Sequence, residues 1–199
     1  MEIDDLIMIN SLWQKTYPFI VAQIMEGYQR DTGSVLELGP FSGGISMELA
    51  RLYPGLNITI ADESPEVVDY LEKKIAASGL AQDIAVKKTD LNHFTFNDSQ
   101  FDLVIFRGAF FFLTKRRNLL QEISRVLKKG GLAFVGGGHG KGVPQEIIDQ
   151  IAGELRSLHK KLGGRRFSIR GLERLVSKSH LTNNCQIKEE GGVWLAITK

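Results

Sequence analysis

The chain has 199 residues, 43% of them hydrophobic, and its 25 basic against 23 acidic side chains leave a formal net charge of +2. That length suits one globular domain with a sizeable core, and the near balance of charge provides no whole-molecule attraction to nucleic acid or anionic membrane. A single cysteine, Cys185, excludes an internal disulfide and fits a reducing compartment.

The opening "MEIDDLIMIN" is acidic and lacks the basic start and apolar run of a signal peptide. No stretch approaches the ~20 consecutive apolar residues that span a bilayer, so a soluble, cytoplasmic protein is expected. The first thirty residues are helical in pattern. Ile20, Val21, Ile24, Met25 and Tyr28 share one face, and Pro18 separates this helix from an earlier one carrying Leu6, Trp13 and Tyr17.

Alternation follows. "SVLELG" reads as a strand, "ISMELARLYPG" as a helix with Ile45, Leu49 and Leu52 inward, and "NITIAD" as a second strand. In "SPEVVDYLEKKIAASG" Ser64 is the cap, Pro65 the first helical residue and Gly79 the stop. "DIAVKK" and "FDLVIF" are the third and fourth strands. "TKRRNLLQEISRVLKKGG" is a helix capped by Thr114 and closed by Gly130, and "LAFVGG" is the fifth strand. Two more helices precede "NCQIKEE" and "VWLAITK", whose Gly191-Gly192 junction signals an antiparallel hairpin. Short apolar strands alternating with amphipathic helices predict an α/β fold, a mostly parallel sheet covered on both faces.

Ligands of such sheets bind beyond the carboxyl ends of the strands. The first strand ends in Glu37, Gly39, Pro40, Gly43 and Gly44, the second in Asp62 and Glu63, the third in Thr89, Asp90 and Leu91, and the fourth in Arg107, Gly108 and Ala109. A glycine turn lets a ligand approach the backbone. Asp62 follows Gly39 by about twenty residues, the distance at which an acid meets a ribose hydroxyl pair; alternatively it serves the entry of the next helix. Asp90 either accepts from an exocyclic amine or bonds its own turn.

With these residues in order, the sequence resembles the class I S-adenosylmethionine-dependent methyltransferases over roughly residues 33–137. "VLELGPFSGG" is similar to that family's first motif, "ITIADES" to its second-strand acid, "TDLNHFTF" to its adenine-side aspartate, and "LLQEISRVLKKGGLAFV" to its helix–turn–strand. The resemblance implies a doubly wound seven-stranded sheet, order 3-2-1-4-5-7-6 with strand 7 antiparallel. It divides the chain into an N-terminal helical cap (1–32), a cofactor-binding core (33–137) and C-terminal helices with a hairpin (138–199). It implies S-adenosyl-L-methionine as cofactor and S-adenosyl-L-homocysteine as product. Glu37, Gly39, Pro40 and Gly43 would cradle the methionine portion. Asp62, with Glu63 beside it, would hold the ribose; Asp90 and Leu91 would meet the adenine; the backbone around Arg107 would meet the methionine ammonium. Phe41 departs from the pattern, since it replaces the middle motif glycine.

Methyl transfer from a sulfonium depends chiefly on positioning, and a general base is needed only if the acceptor must lose a proton. His139 in "GGGHGKG" is a candidate base and a candidate substrate contact, with a solvated loop histidine as its alternative. Trp13, Tyr17, Phe110 and Phe111 are further candidates for the acceptor pocket, and the Arg107 side chain either pairs with an acidic ligand or makes a structural ion pair. The basic cluster Arg156, His159, Lys160, Lys161, Arg165, Arg166 and Arg170 lacks interleaved aromatics to stack bases, and no "NPPY"-like sequence follows the fourth strand. Histidine and cysteine spacing suggests no metal. A small-molecule methyl acceptor is therefore expected. A non-catalytic cofactor-binding module, an RNA methyltransferase and an NAD-dependent oxidoreductase are the alternatives. The last would need a G-x-G-x-x-G turn, which the sequence does not contain after the first strand.

Overall fold

The computed structural model describes residues 3–39, 42–108, 118–161, 168–181 and 184–199, and side chains throughout these except at 155–161. The chain opens with α1 (Ile3–Trp13), a 3-10 turn (Gln14–Thr16) and α2 (Tyr17–Tyr28). Pro18 occupies the first turn of α2, where its missing N–H costs nothing, so the break falls just before the proline and Tyr17 starts the second helix. There follow β1 (Gly33–Leu38), α3 (Gly44–Leu52), β2 (Leu56–Asp62), α4 (Pro65–Ala77), β3 (Ile84–Lys88) and β4 (Phe101–Arg107). Then come α5 (Leu119–Val126), β5 (Leu127–Gly136), α6 (Gln145–Lys161), α7 (Ile169–Lys178), β6 (Cys185–Lys188) and β7 (Trp194–Thr198).

The strands form one sheet in the order β3-β2-β1-β4-β5-β7-β6, with β7 antiparallel to both neighbours. Ser64 caps α4 by accepting from the Val67 amide at 3.4 Å, and Gly79 turns the chain out of that helix at φ +76°. Apolar residues alternate along β1 and β4 to serve both faces. Val35, Leu103 and Ile105 pack with α1, α2, α3 and α4; Leu36, Leu38, Val104 and Phe106 pack with α5 and α7.

Two expectations are corrected. Leu52 is 55% exposed rather than inward, because α3 ends there and the half-buried Tyr53 covers that edge of the core instead. The segment "LKKGG" belongs to β5 and not to the preceding helix, which stops at Val126. Sheet contacts outweigh helix propensity here. The Gly130 amide donates to the Lys199 carbonyl at 2.6 Å, and Lys128 Nζ reaches Asp102 at 2.7 Å. The strand enters irregularly, since its pairing shifts between Phe101–Leu127 and Leu103–Leu132. The expected cap Thr114 lies outside the described residues.

Candidate active site

The parallel register brings the chemistry to one edge. Leu38 pairs with Ala61 on one side and with Phe106 on the other. One step further along, Gly39 lies level with Asp62 and Arg107, both on the face covered by the N-terminal helices. A Cβ at position 39 would overlap the Asp62 carboxylate. Glycine is therefore required where the acid leans across the end of β1. Gly43 begins α3 at φ +103°, a conformation that side chains rarely adopt.

Glu37 is completely buried, and its Oε2 accepts from the Ser46 amide in the first turn of α3 at 2.9 Å. The positive helix end favours a carboxylate there, but burial dominates and raises the proton affinity above the usual carboxylate range, against the opposing effects of Ser46, Gly43 and Arg107. Its Oε1 has no hydrogen-bond partner among the described residues. Asp62 is 4% exposed, and its Oδ1 accepts from the Ser64 amide at 2.9 Å. It thus already takes part in helix entry, the alternative that the sequence allowed. Glu63 is exposed beside it.

Asp90 is exposed, and its Oδ1 accepts from the Asn92 amide at 2.8 Å, an Asx turn. Leu91 is buried with Phe94 and Phe96 in the core beneath the second face. Its side chain therefore offers no apolar face to a ligand, which leaves only its backbone for that purpose.

Arg107 is 3% exposed. Its guanidinium lies 4.1 Å from the centre of the Trp13 ring and 5.7 Å from that of Tyr17. Desolvation lowers its pKa, while Tyr17 and Glu37 oppose that effect, and its Nε has no acceptor among the described residues. Burial pushes the Tyr17 hydroxyl up to about 12, so it remains a neutral donor. It donates to Asn10 Oδ1 at 2.6 Å, and Asn10 Nδ2 donates to the Ser42 carbonyl at 3.3 Å. Through Tyr17 and Asn10 the N-terminal helices grip the glycine turn. Gly44 completes the fit, since a Cβ there would overlap the Tyr17 ring. Neither Asn10 nor Ser42 was singled out from sequence; a polar residue on the buried face of α1 was the available signal.

His139 sits half-buried in the loop after β5, where its Nδ1 donates to the Gly140 carbonyl at 2.9 Å, leaving Nε2 as the nitrogen able to accept a proton. Its own amide donates to the Gly191 carbonyl of the hairpin. Gly138 and Gly192 pack backbone against backbone, so this glycine-rich loop serves docking of the hairpin. Pro40, Phe41, Phe110, Phe111, Arg165 and Arg166 lie outside the described residues, as do the side chains of Arg156, His159, Lys160 and Lys161. Arg170 is exposed on α7.

Comparison with known proteins agrees with this geometry. A methyltransferase-domain family matches residues 35–131. The ubiquinone/menaquinone biosynthesis C-methyltransferase UbiE of Geotalea daltonii is 31% identical over 104 residues, 52% of this chain and 44% of the relative. The glycine/sarcosine/dimethylglycine N-methyltransferase of Actinopolyspora halophila is 33% identical over 102 residues, 50% of this chain and 18% of the relative. The chain thus spans less than half the length of these curated relatives. A solved protein from Methanococcus maripaludis, assigned as an S-adenosyl-L-methionine-dependent methyltransferase, superposes with a TM-score of 0.84 at 25% identity, over 98% of this chain and 91% of that one. Residues 35–131 thus match a methyltransferase domain, and the strand order and superposition give the chain the fold of the class I S-adenosylmethionine-dependent methyltransferases.

Proposed function

We propose that the protein transfers a methyl group from S-adenosyl-L-methionine to a small-molecule acceptor, working in the cytoplasm with residues 1–32 as cap, 33–137 as cofactor core and 138–199 as closing segment. The observation that carries this reading is the row Asp62–Gly39–Arg107, with the buried Glu37 behind it. Two charged groups stand at the strand ends with a glycine between them, where such sheets bind ligands. The residues present suit the cofactor: the turn from Gly39 to Gly43 is free of side chains at its ends, and Glu37 Oε1 is a buried acceptor with no hydrogen-bond partner among the described residues.

In this reading Asp62 and Glu63 hold the ribose hydroxyls, the backbone at Leu91 and the carboxylate of Asp90 meet the adenine, and Glu37 faces the methionine ammonium. Pro40 belongs to the same turn. When bound, the cofactor supplies an activated methyl on a sulfonium with a neutral leaving group. The chain orients that group and excludes water, and the lid formed by Trp13, Tyr17 and Asn10 serves the second task. No proton need move unless the acceptor carries one; His139 Nε2 is the candidate to receive it. Small acceptors named for the relatives, a quinone and glycine derivatives, support the acceptor class.

Thermal denaturation tests the reading. Saturating S-adenosyl-L-homocysteine is expected to raise the melting temperature and NADH to leave it unchanged; the reverse result overturns it. Release of labelled methyl to an acceptor panel then separates an enzyme from a non-catalytic cofactor-binding module.

A further inference from the structure

We propose that Arg107 is the acceptor-anchoring residue of this site, and that the acceptor is an organic acid whose carboxylate it holds beneath Trp13 and Tyr17. The inference rests on the methyl-transfer reading and adds the chemical class of the substrate. It starts from an unmet hydrogen-bonding need. A buried guanidinium is costly unless hydrogen-bonded acceptors surround it. Arg125 shows how this chain treats a structural arginine. It pairs with Glu122 at 2.8 Å and Asp98 at 2.6 Å, and it donates to the carbonyls of Phe96 at 2.9 Å and Phe94 at 3.1 Å.

Arg107 is more deeply buried, and among the described residues its side chain has no hydrogen-bonded or ion-paired acceptor of this kind. Its charged or ionisable neighbours, Tyr17 and Glu37, act on it through space, and Nε lacks an acceptor among the described residues. Glu37 offsets its charge through space but makes no hydrogen bond to it, since Oε2 is engaged by the Ser46 amide and Oε1 has no hydrogen-bond partner among the described residues. The Trp13 ring lies close to the guanidinium, with Tyr17 further off, and such aromatic contact holds the cation without satisfying its N–H groups. What remains is a buried Nε–H in an aromatic setting, which together with the adjacent terminal nitrogen has the geometry to hold a carboxylate by two parallel hydrogen bonds.

Position on the sheet assigns that carboxylate to the acceptor. Reading along the strand order, β3 and β2 present Asp90 and Asp62, and β1 presents the glycine turn. The cofactor reading uses these three ends, Glu37 and the backbone around Arg107, but not the Arg107 side chain. Arg107 stands on the next strand, β4, against the N-terminal helices that form the acceptor-side wall. Its partner is therefore the molecule that enters between cap and cofactor.

Calorimetry on the full chain saturated with S-adenosyl-L-homocysteine tests this with benzoate, cinnamate and octanoate, each against its uncharged amide. At least one acid is expected to bind ten or more times more tightly than its amide. Arg107→Lys should reduce that preference several-fold and Arg107→Met should remove it, with the affinity of each variant for S-adenosyl-L-homocysteine titrated alongside. Equal binding of every acid and amide overturns the proposal, as does a preference that survives Arg107→Met. If Arg107→Met weakens S-adenosyl-L-homocysteine tenfold while sparing 5′-methylthioadenosine, which lacks the amino-acid end, the anion is the cofactor's own and the proposal also falls. Should Arg107→Met fail to fold, the wild-type acid-to-amide ratio and Arg107→Lys still decide. Failure of the underlying methyl-transfer reading is recognised separately, by S-adenosyl-L-homocysteine itself not binding.

Discussion

The Asp62 carboxylate fills the space that a side chain at position 39 would need, so the last residue before the glycine turn and the acid on the neighbouring strand form one fitted pair. Gly39→Ala is expected to push that carboxylate away and break its bond from the Ser64 amide. Overpacking of this kind costs about 1–3 kcal/mol of stability, and affinity for S-adenosyl-L-homocysteine should fall at least tenfold. Because both residues act through the same contact, Gly39→Ala combined with Asp62→Ala should cost clearly less than the sum of the single changes. Additive losses in denaturant titrations would show that the two are independent.

Asp62→Ala alone separates the two roles of this acid. Loss of a hydrogen-bonded acceptor for the ribose is expected to cost about 1–3 kcal/mol of cofactor affinity. Loss of the bond from the Ser64 amide to Oδ1 should also cost the ligand-free chain about 0.5–1.5 kcal/mol of stability. Calorimetry and denaturant unfolding measure the two effects separately, and unchanged affinity would leave Asp62 with helix entry alone.

The contrast between these residues and Arg107 explains what could be read in the sequence. Strand ends and helix caps are local: "VLELGPFSGG", the cap at Ser64 and the acid at Asp62 each announce themselves within a few residues, and strand alternation then fixes their common edge. The burial of Arg107 is not local, because it depends on Trp13 and Tyr17 arriving from nearly a hundred residues earlier in the chain. The grip of Asn10 on Ser42 is hidden for the same reason. "LKKGG" has the look of a helix end, and only Lys199 and Asp102, distant in sequence, draw it into the sheet. His139 was legible as a candidate, but the use of Gly138 beside it to admit the hairpin backbone was not, because the hairpin turn lies more than fifty residues further along the chain.

Trp13→Ala tests the tie between cap and core. The ring contributes its contact with the Arg107 cation and its packing against the core beneath the first face. Cation–π contacts are worth about 0.5–2 kcal/mol, and truncating a half-buried tryptophan adds lost packing, so a loss of about 2–3 kcal/mol is expected. Trp13→Phe should recover more than half of it. Hydrogen exchange should show the change concentrated in α1 and α2, with β1 and β4 still protected. Uniform loss of protection would mean that the cap and the sheet unfold as one unit.

Glu37 shows how the fold sacrifices stability for the site. Its proton affinity in the folded chain is raised, chiefly by burial, so the folded state holds this proton more readily than the unfolded one. The favourable contribution is therefore fully present below the ordinary carboxylate range. It is lost as pH rises through the folded-state value, and near neutrality the buried carboxylate becomes a burden that the Ser46 amide and the Arg107 charge only partly relieve. Glu37→Gln keeps the shape and can still accept from Ser46, but it cannot ionise. Without ligand, the variant is expected to melt at a higher temperature than the parent at pH 7, and the gain should vanish on approaching pH 4. With cofactor the order should reverse. An ammonium facing a neutral amide in place of a carboxylate loses a charge-assisted hydrogen bond, and affinity for S-adenosyl-L-homocysteine should fall about tenfold. Melting curves from pH 4 to pH 8, with and without S-adenosyl-L-homocysteine, measure both effects. If Glu37→Gln lowered the ligand-free melting temperature at pH 7, the carboxylate would be a structural acceptor first, and its assignment to the methionine ammonium would lose its basis.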